Sequence, residues 1–258
     1  MKEHKWIPSR GQRLSAMVHV PCPDSEKRPV IIICHGFTGD KIGMNQMNVK
    51  LSAALESAGY ASVRFDYLGS GDSDGDFATD TLISGWQTDT ANVVNWTCGQ
   101  PELAGRPIVL YGHSLSGLIA LTHKDPGNRV VGRIVFAPVV DPVGNLRTSI
   151  LGCDLWQKSF RGEMIANFYG KAYALQPQFV KDLTENHYDP MKDAMALTTP
   201  LLVIHGTADA VVPLEGSHVL FERYNGPKEM KVLEVDHVAA GQHGAWIATI
   251  IGWLDRNF

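Results

Sequence analysis

Short, nearly unbroken apolar runs recur along the chain, and between them apolar residues return every three or four positions. VIIICH, Val30 to His35, is β-branched almost throughout, as a strand buried on both faces must be. MNQMNVKLSAALESAGY then follows with helical spacing and a plausible stop at Gly59. ASVRFD predicts the next strand and LISGWQTDTANVVNWT the next helix. PIVLYG (Pro107 to Gly112), RIVFAP (Arg133 to Pro138), LLVIHG (Leu201 to Gly206) and KVLEVD (Lys231 to Asp236) predict further strands. LSGLIALTHK and a last segment from about Gly244 to Leu254 predict helices. Such alternation specifies one α/β domain over residues 1–258, with a mainly parallel sheet covered by helices on both faces.

Between Val139 and Ala196 the rhythm stops and no strand is expected. The stretch carries Trp156, Phe160, Met164, Phe168, Tyr169 and Tyr173, too apolar for a disordered loop. A helical insertion over residues 139–196, capping the carboxyl edge of the sheet, is the expectation.

Composition narrows the function. The 258 residues are 44% hydrophobic, enough for one sizeable core. The formal net charge is -4 and no basic run appears, so nucleic acid is not an expected partner. No window approaches the roughly 18 unbroken apolar residues of a membrane span, and the N-terminus has no signal-peptide core. A soluble, cytoplasmic protein is expected. Cys22, Cys34, Cys98 and Cys153 lie far apart, which argues against a zinc site or a disulfide framework. Cys34 and His35 are strand neighbours pointing to opposite faces, so Cys34 reads as a core residue.

Two serines compete for chemistry. GDSDG, Gly71 to Gly75, fits G-x-S-x-G. GHSLSG, Gly112 to Gly117, misses it by one residue, because Ser116 stands where the second glycine belongs. A hydrolase nucleophile, however, needs a strand, a sharp bend and a helix whose N-terminal amides face the developing charge. Ser114 has PIVLY before it and an apolar helix after it. Ser73 has Asp66, Asp72, Asp74, Asp76 and Asp80 nearby, which oppose an oxyanion. Ser114 is therefore the expected nucleophile, and GDSDG a turn whose side chains cap backbone amides. Ser114→Ala is expected to abolish activity and Ser116→Gly to keep it.

HGFTG (His35 to Gly39), RFDYLGSGDSDG, GHSLSG, HGTADAVVP (His205 to Pro213) and VDH (Val235 to His237) stand in the order found in the α/β-hydrolase superfamily, which the chain resembles from about residue 30 onward. Within it the phrasing is most similar to the small cinnamoyl (feruloyl) esterases. The resemblance implies an α/β-hydrolase fold and a Ser-His-Asp triad acting through an acyl-enzyme. It places the base on the loop after the last strand, at His237, with His243 as rival. The orienting acid falls at Asp209, with Asp141 and Asp236 as alternatives. The oxyanion donors are the backbone N–H groups of Leu115 and, by resemblance, Phe37. His35, Trp156, Phe168 and Tyr169 are candidate substrate-binding residues, and Asp66 a brace for the oxyanion loop.

The implied substrate is a small ester with a flat or hydrophobic acyl group, hydroxycinnamoyl by resemblance. Short-chain esters, monoacylglycerols and thioesters are the nearest alternatives, and a non-catalytic binding protein on the same fold is the alternative of another class. No motif asks for a cofactor, and neither a phosphate loop nor H-E-x-x-H is present, so no metal is expected. The apolar insertion is compatible with a homodimer.

Overall fold

The computed structural model describes residues 1–22, 28–170 and 172–258. Its strands are β1 (Lys2–Ser9), β2 (Gln12–His19), β3 (Val30–Cys34), β4 (Ala61–Phe65), β5 (Ile108–His113), β6 (Val130–Phe136), β7 (Ile165–Phe168), β8 (Tyr173–Leu175), β9 (Leu201–Gly206) and β10 (Lys228–Leu233). Eight of them form one sheet in the order β1-β2-β4-β3-β5-β6-β9-β10. From β4 to β10 every pairing is parallel, while β2 joins β1 and β4 antiparallel.

The unbroken apolar reading of β3 has a direct cause. Val30, Ile32 and Cys34 enter the core that holds Trp86 and Leu118. Ile31 and Ile33 enter the opposite core, with Met47, Leu51, Trp246 and Trp253. Burial pushes the Cys34 thiol up to about 12. It stays protonated and belongs to the packing.

The chain passes from β3 to β4 on one side and then to β5 on the other. The strand order therefore reverses between β3 and β5. In an open parallel sheet such a switch leaves a crevice beyond the carboxyl ends of the two strands. Both candidate loops, HGFTG after β3 and GHSLSG after β5, open into it.

Three elements differ from the sequence reading. The N-terminal hairpin β1–β2 was not anticipated. It turns at Arg10 and Gly11, both at positive φ (47° and 76°), as a two-residue hairpin turn requires. The last strand covers Lys228–Leu233, three residues earlier than KVLEVD, so His237 does not follow it directly. Between β6 and β9 the chain forms helices at Pro142–Asn145, Cys153–Phe160, Gln178–Glu185 and Pro190–Met195, and a π-turn at Leu146–Ile150. It also forms the antiparallel hairpin β7–β8, which corrects the expectation of helices alone. That hairpin is four residues against three with a register shift, too short to leave a period of two. Among the described residues no helix is long and apolar enough to cross a membrane.

Candidate active site

β5 ends at His113, and the helix Leu115–Thr122 begins two residues later. Ser114, between them, has φ 56° and ψ -119°. A non-glycine residue held there costs on the order of 1–3 kcal/mol and needs surrounding bonds to keep it. They are present. Ser114 N–H donates to the Phe136 carbonyl at 2.9 Å, and the Ser114 carbonyl accepts from Gly117 at 2.8 Å and Val139 at 3.0 Å. The flanking glycines are obligatory for close approach. A Cβ at Gly112 would lie 2.2 Å from the Ser116 carbonyl oxygen, and one at Gly117 2.5 Å from Pro138 Cβ. The Ser114 hydroxyl makes no hydrogen bond to any described residue.

The loops after β9 and β10 are fastened to one another. Thr207 N–H donates to the Leu233 carbonyl at 2.8 Å and Ala208 N–H to the Val235 carbonyl at 3.0 Å. A Cβ at Gly206 would come 2.1 Å from the Val235 oxygen. This contact brings Asp209 to His237, whose Nδ1 donates to Asp209 Oδ2 at 2.7 Å. Asp209 Oδ1 accepts the N–H groups of Val211 and Val212. Desolvation alone would raise the Asp209 pKa; hydrogen bonds from His205 and His237 outweigh it and hold the carboxyl far below its usual range. Asp209 thus fixes the His237 tautomer and leaves Nε2 as the basic nitrogen.

The remaining histidines and acids have other employment. His243, the rival base, faces away: Nε2–H donates to the Val238 carbonyl and Nδ1 accepts from Lys50 Nζ at 3.1 Å. His113 Nε2–H donates to the His237 carbonyl at 2.8 Å, and burial pushes its pKa down to about 3. The two rings therefore hold consecutive carbonyls of the loop that carries His237. His205, which the sequence reading marked as the start of HGTADAVVP, also reaches Asp209. Its Nε2–H is 3.0 Å from the Val212 carbonyl and 3.3 Å from Asp209 Oδ2. The four-residue spacing of His205 and Asp209 across a strand end was the available signal. Asp141 caps the helix Pro142–Asn145 by accepting from Gly144, and Asp236 caps Val238 and Ala240. Neither touches an imidazole.

HGFTG packs against Ser114, since a Cβ at Gly36 would lie 3.1 Å from Ser114 Cβ. The Gly36 carbonyl accepts from His35 Nδ1 at 2.8 Å and from Gly39 N–H at 3.0 Å. In a planar trans peptide this carbonyl and the Phe37 N–H point oppositely, so pinning one aims the other. Phe37 N–H has no acceptor among the described residues. Leu115, the first residue of its helix, offers an N–H without an intrahelical partner. His35 itself is buried, neutral because desolvation lowers its pKa, and accepts from Tyr67 N–H on Nε2. It serves the loop while also lining the cavity.

Asp66 is the brace. It is fully buried and accepts from Lys41 N–H, from Lys41 Nζ at 2.6 Å and from Asp72 N–H. Ser73 is bound on both sides: it donates to the Asp66 carbonyl at 2.7 Å and accepts from Ser15 N–H at 2.8 Å.

Above Ser114 lies a cavity of about 570 Å³ lined by His35, Phe37, Met44, Met47, Tyr169, Tyr173, Val211 and His237, among others. Tyr169 reaches it. Trp156 and Phe168 do not line it; they are buried at 5% and 4% exposure, and Phe168 stacks on Phe37 at 5.8 Å. Their apolar bulk holds the β6–β9 segment to the core. Tyr173, named only as one of the insertion's aromatics, and Met44 and Met47 were not among the substrate-binding candidates read from sequence. Nothing in an isolated Met distinguishes a lining position from a packed one.

The chain is similar to several known proteins. A structure of Est1E from Butyrivibrio proteoclasticus with bound ferulic acid superposes with a TM-score of 0.84 at 21% identity, covering 98% of each chain. The palmitoyl-protein thioesterase ABHD10, mitochondrial, of Rattus norvegicus is 28% identical over 210 residues, which cover 78% of this chain and 65% of that protein. An uncharacterized 31.7 kDa protein of Escherichia coli from the traX-finO intergenic region is 28% identical over 236 residues, 79% of this chain and 81% of that one. The sequence profile of the Alpha/beta hydrolase family matches residues 31–250, and with the switch-point crevice and the bend at Ser114 this establishes that the chain belongs to that family.

Proposed function

We propose that the protein hydrolyses carboxylic esters or thioesters through an acyl-enzyme on Ser114. The observation that carries the reading is the combination of an unbonded, backbone-strained Ser114 hydroxyl and a His237–Asp209 pair on one cavity. His237 Nε2 takes the Ser114 proton as Oγ attacks the acyl carbon. Apo enzymes often hold this contact long and tighten it only around substrate. The tetrahedral oxyanion is received by Phe37 and Leu115 N–H. His237 then protonates the leaving oxygen or sulfur, and water repeats the cycle against the acyl-enzyme.

For the acyl group, a flat hydroxycinnamoyl ester is the first reading, supported by Tyr169 and Tyr173 in the lining and by the ferulic acid named with the Est1E structure. A flexible acyl thioester is the second, favoured by Met44 and Met47 on the same wall, since unbranched thioethers adapt to irregular chains. The four cysteines are free thiols, which supports a reducing compartment such as the cytoplasm.

A fluorophosphonate probe should label Ser114 and no other residue, and the labelled enzyme should be inactive. Methyl ferulate, a p-nitrophenyl alkanoate series and S-acyl peptides assayed side by side then rank the acyl groups. Absence of both labelling and turnover would leave a binding protein on a hydrolase fold.

A further inference from the structure

Ser116 replaces the glycine that would complete the nucleophile motif, and the chain makes use of its hydroxyl. Ser116 is fully buried. Its Oγ–H donates to the His35 carbonyl at 2.5 Å. With that single proton committed, the 3.0 Å contact to Tyr67 is one in which the phenol donates to Ser116. The phenol oxygen in turn receives Thr90 Oγ1 at 3.3 Å. Thr90 sits in the helix Ile83–Gly99, and the Tyr67 ring lies flat on Trp86 of that helix, 4.0 Å between centroids and 1° between planes. One hydroxyl series thus runs from a packed helix to the loop that carries the Phe37 amide.

We propose that Ser116 is a positioning residue for the oxyanion hole, holding the His35 carbonyl so that the Phe37 N–H keeps its aim. Two successive peptides decide that aim. The Gly36–Phe37 peptide is fixed through its own carbonyl by His35 Nδ1 and Gly39. The preceding His35–Gly36 peptide is fixed through its carbonyl by Ser116. Gly36 lies between them and has no side chain to restrain rotation. The His35 ring is part of the same clamp, because Tyr67 supplies both its backbone N–H to His35 Nε2 and its phenol to Ser116. Removing the Ser116 hydroxyl frees one peptide plane and leaves a buried phenol and carbonyl short of partners. This reverses the sequence-based expectation that Ser116→Gly keeps activity.

The inference rests on the acyl-transfer reading, so the experiment begins with wild type. Fluorophosphonate labelling at Ser114 together with ester turnover establishes that reading; failure of both removes it, and the role of Ser116 falls with it. Given turnover, Ser116→Ala and Tyr67→Phe are compared with wild type for kcat, KM, Tm and the inhibition constant of an aryl boronic acid, whose tetrahedral adduct places a boron hydroxyl in the oxyanion hole. Losing an oxyanion donor outright lowers kcat by about 10²- to 10³-fold. Loosening one should lower it roughly tenfold in Ser116→Ala, with KM within twofold and the boronate constant raised by the same factor. Tyr67→Phe should move the same two quantities less, because Ser116 still reaches His35; it carries the test alone if Ser116→Ala does not fold. A lowered Tm with kcat and boronate affinity within twofold of wild type would make Ser116 a packing residue and overturn the proposal.

Discussion

GDSDG and GHSLSG look alike in one dimension and are opposites in three. In the first, Ser73 donates to a carbonyl, accepts from an amide and lies outside the positive-φ region. In the second, Ser114 has a strained backbone and a hydroxyl with no partner among the described residues. The glycines differ as well. Gly71 is needed because a side chain there would strike the Asp66 carboxylate at 2.2 Å, within a loop of salt bridges. Gly112 is needed because a helix carbonyl must approach a strand. One loop spends every hydrogen bond on holding shape. The other leaves one hydroxyl free and spends everything around it on keeping it in place. A free hydroxyl on a rigid support, as at Ser114, is what the proposed chemistry requires, and Ser73 has no such hydroxyl.

The largest predicted effect tests that contrast directly. Ser114→Ala should lower kcat by about 10⁶-fold, the scale seen when a triad nucleophile is removed. Retained turnover would move the chemistry elsewhere. Asp209→Asn should cost about 10⁴-fold in kcat, because a side-chain amide has one acceptor oxygen and must turn its NH2 either toward the Val211 and Val212 N–H groups or toward the His237 Nδ1–H, whereas the carboxylate accepts from both sides. A loss below tenfold would show that the histidine needs no orienting charge. Gly36→Ala comes next. Its new Cβ would press on Ser114 Cβ at 3.1 Å and His113 Nδ1 at 3.2 Å, displacing the loop that offers Phe37 N–H. A drop of about 10²- to 10³-fold in kcat is expected, with the protein still folded by circular dichroism.

Much of this was legible in the sequence. Strand–bend–helix around Ser114 could be read from PIVLY and LSGLIAL, since buried parallel strands and apolar helices leave strong periodic traces. Illegible were features that depend on a partner elsewhere in the chain. The frame of β10 was misread because its residues alternate weakly on a half-exposed edge. The β7–β8 hairpin was too short to show a period. The separation of Tyr169 and Tyr173 on the cavity from Trp156 and Phe168 in the core could not be seen, because aromatic residues on either side look the same in sequence.

Acid should separate the two stretches next. Beside Ser114 the group that titrates in mild acid is a buried imidazole. His113 has a folded pKa of about 3, set by desolvation, against about 6.5 unfolded. Below pH 6.5 the unfolded chain therefore takes up a proton that the folded chain refuses. Stability is complete above about 6.5 and falls as the pH drops toward 3, by up to about 1.4 kcal/mol per pH unit for such a group. His123, pushed down to about 4 by burial, adds to the slope in the same direction. Around Ser73 the groups are carboxylates held down by Lys41 (Asp72) and Arg13 (Asp74). Their contribution is intact above about pH 4 and lost only below it. Urea midpoints should consequently fall between pH 6.5 and 4.5, where the paired carboxylates are still ionised. A flat midpoint over that interval would mean that these imidazoles are not buried as described.

Ser73→Ala is the smallest change and the sharpest control. It removes a donor to the Asp66 carbonyl and an acceptor for Ser15 N–H. Ser73 is only half-buried, so water can satisfy part of what is lost, and the expected destabilisation is about 1 kcal/mol. Asp66 keeps Lys41, and Lys41 keeps the end of the HGFTGD loop, through bonds that do not involve Ser73. The oxyanion loop should therefore stay in place, and kcat per folded molecule should remain within twofold of wild type. Active-site titration with the fluorophosphonate probe, run beside a urea melt, separates the two quantities. A tenfold loss of kcat at full titre would mean that the GDSDG loop reaches the chemistry through Asp66, and the distinction between a structural and a reactive serine would then lie in one shared brace.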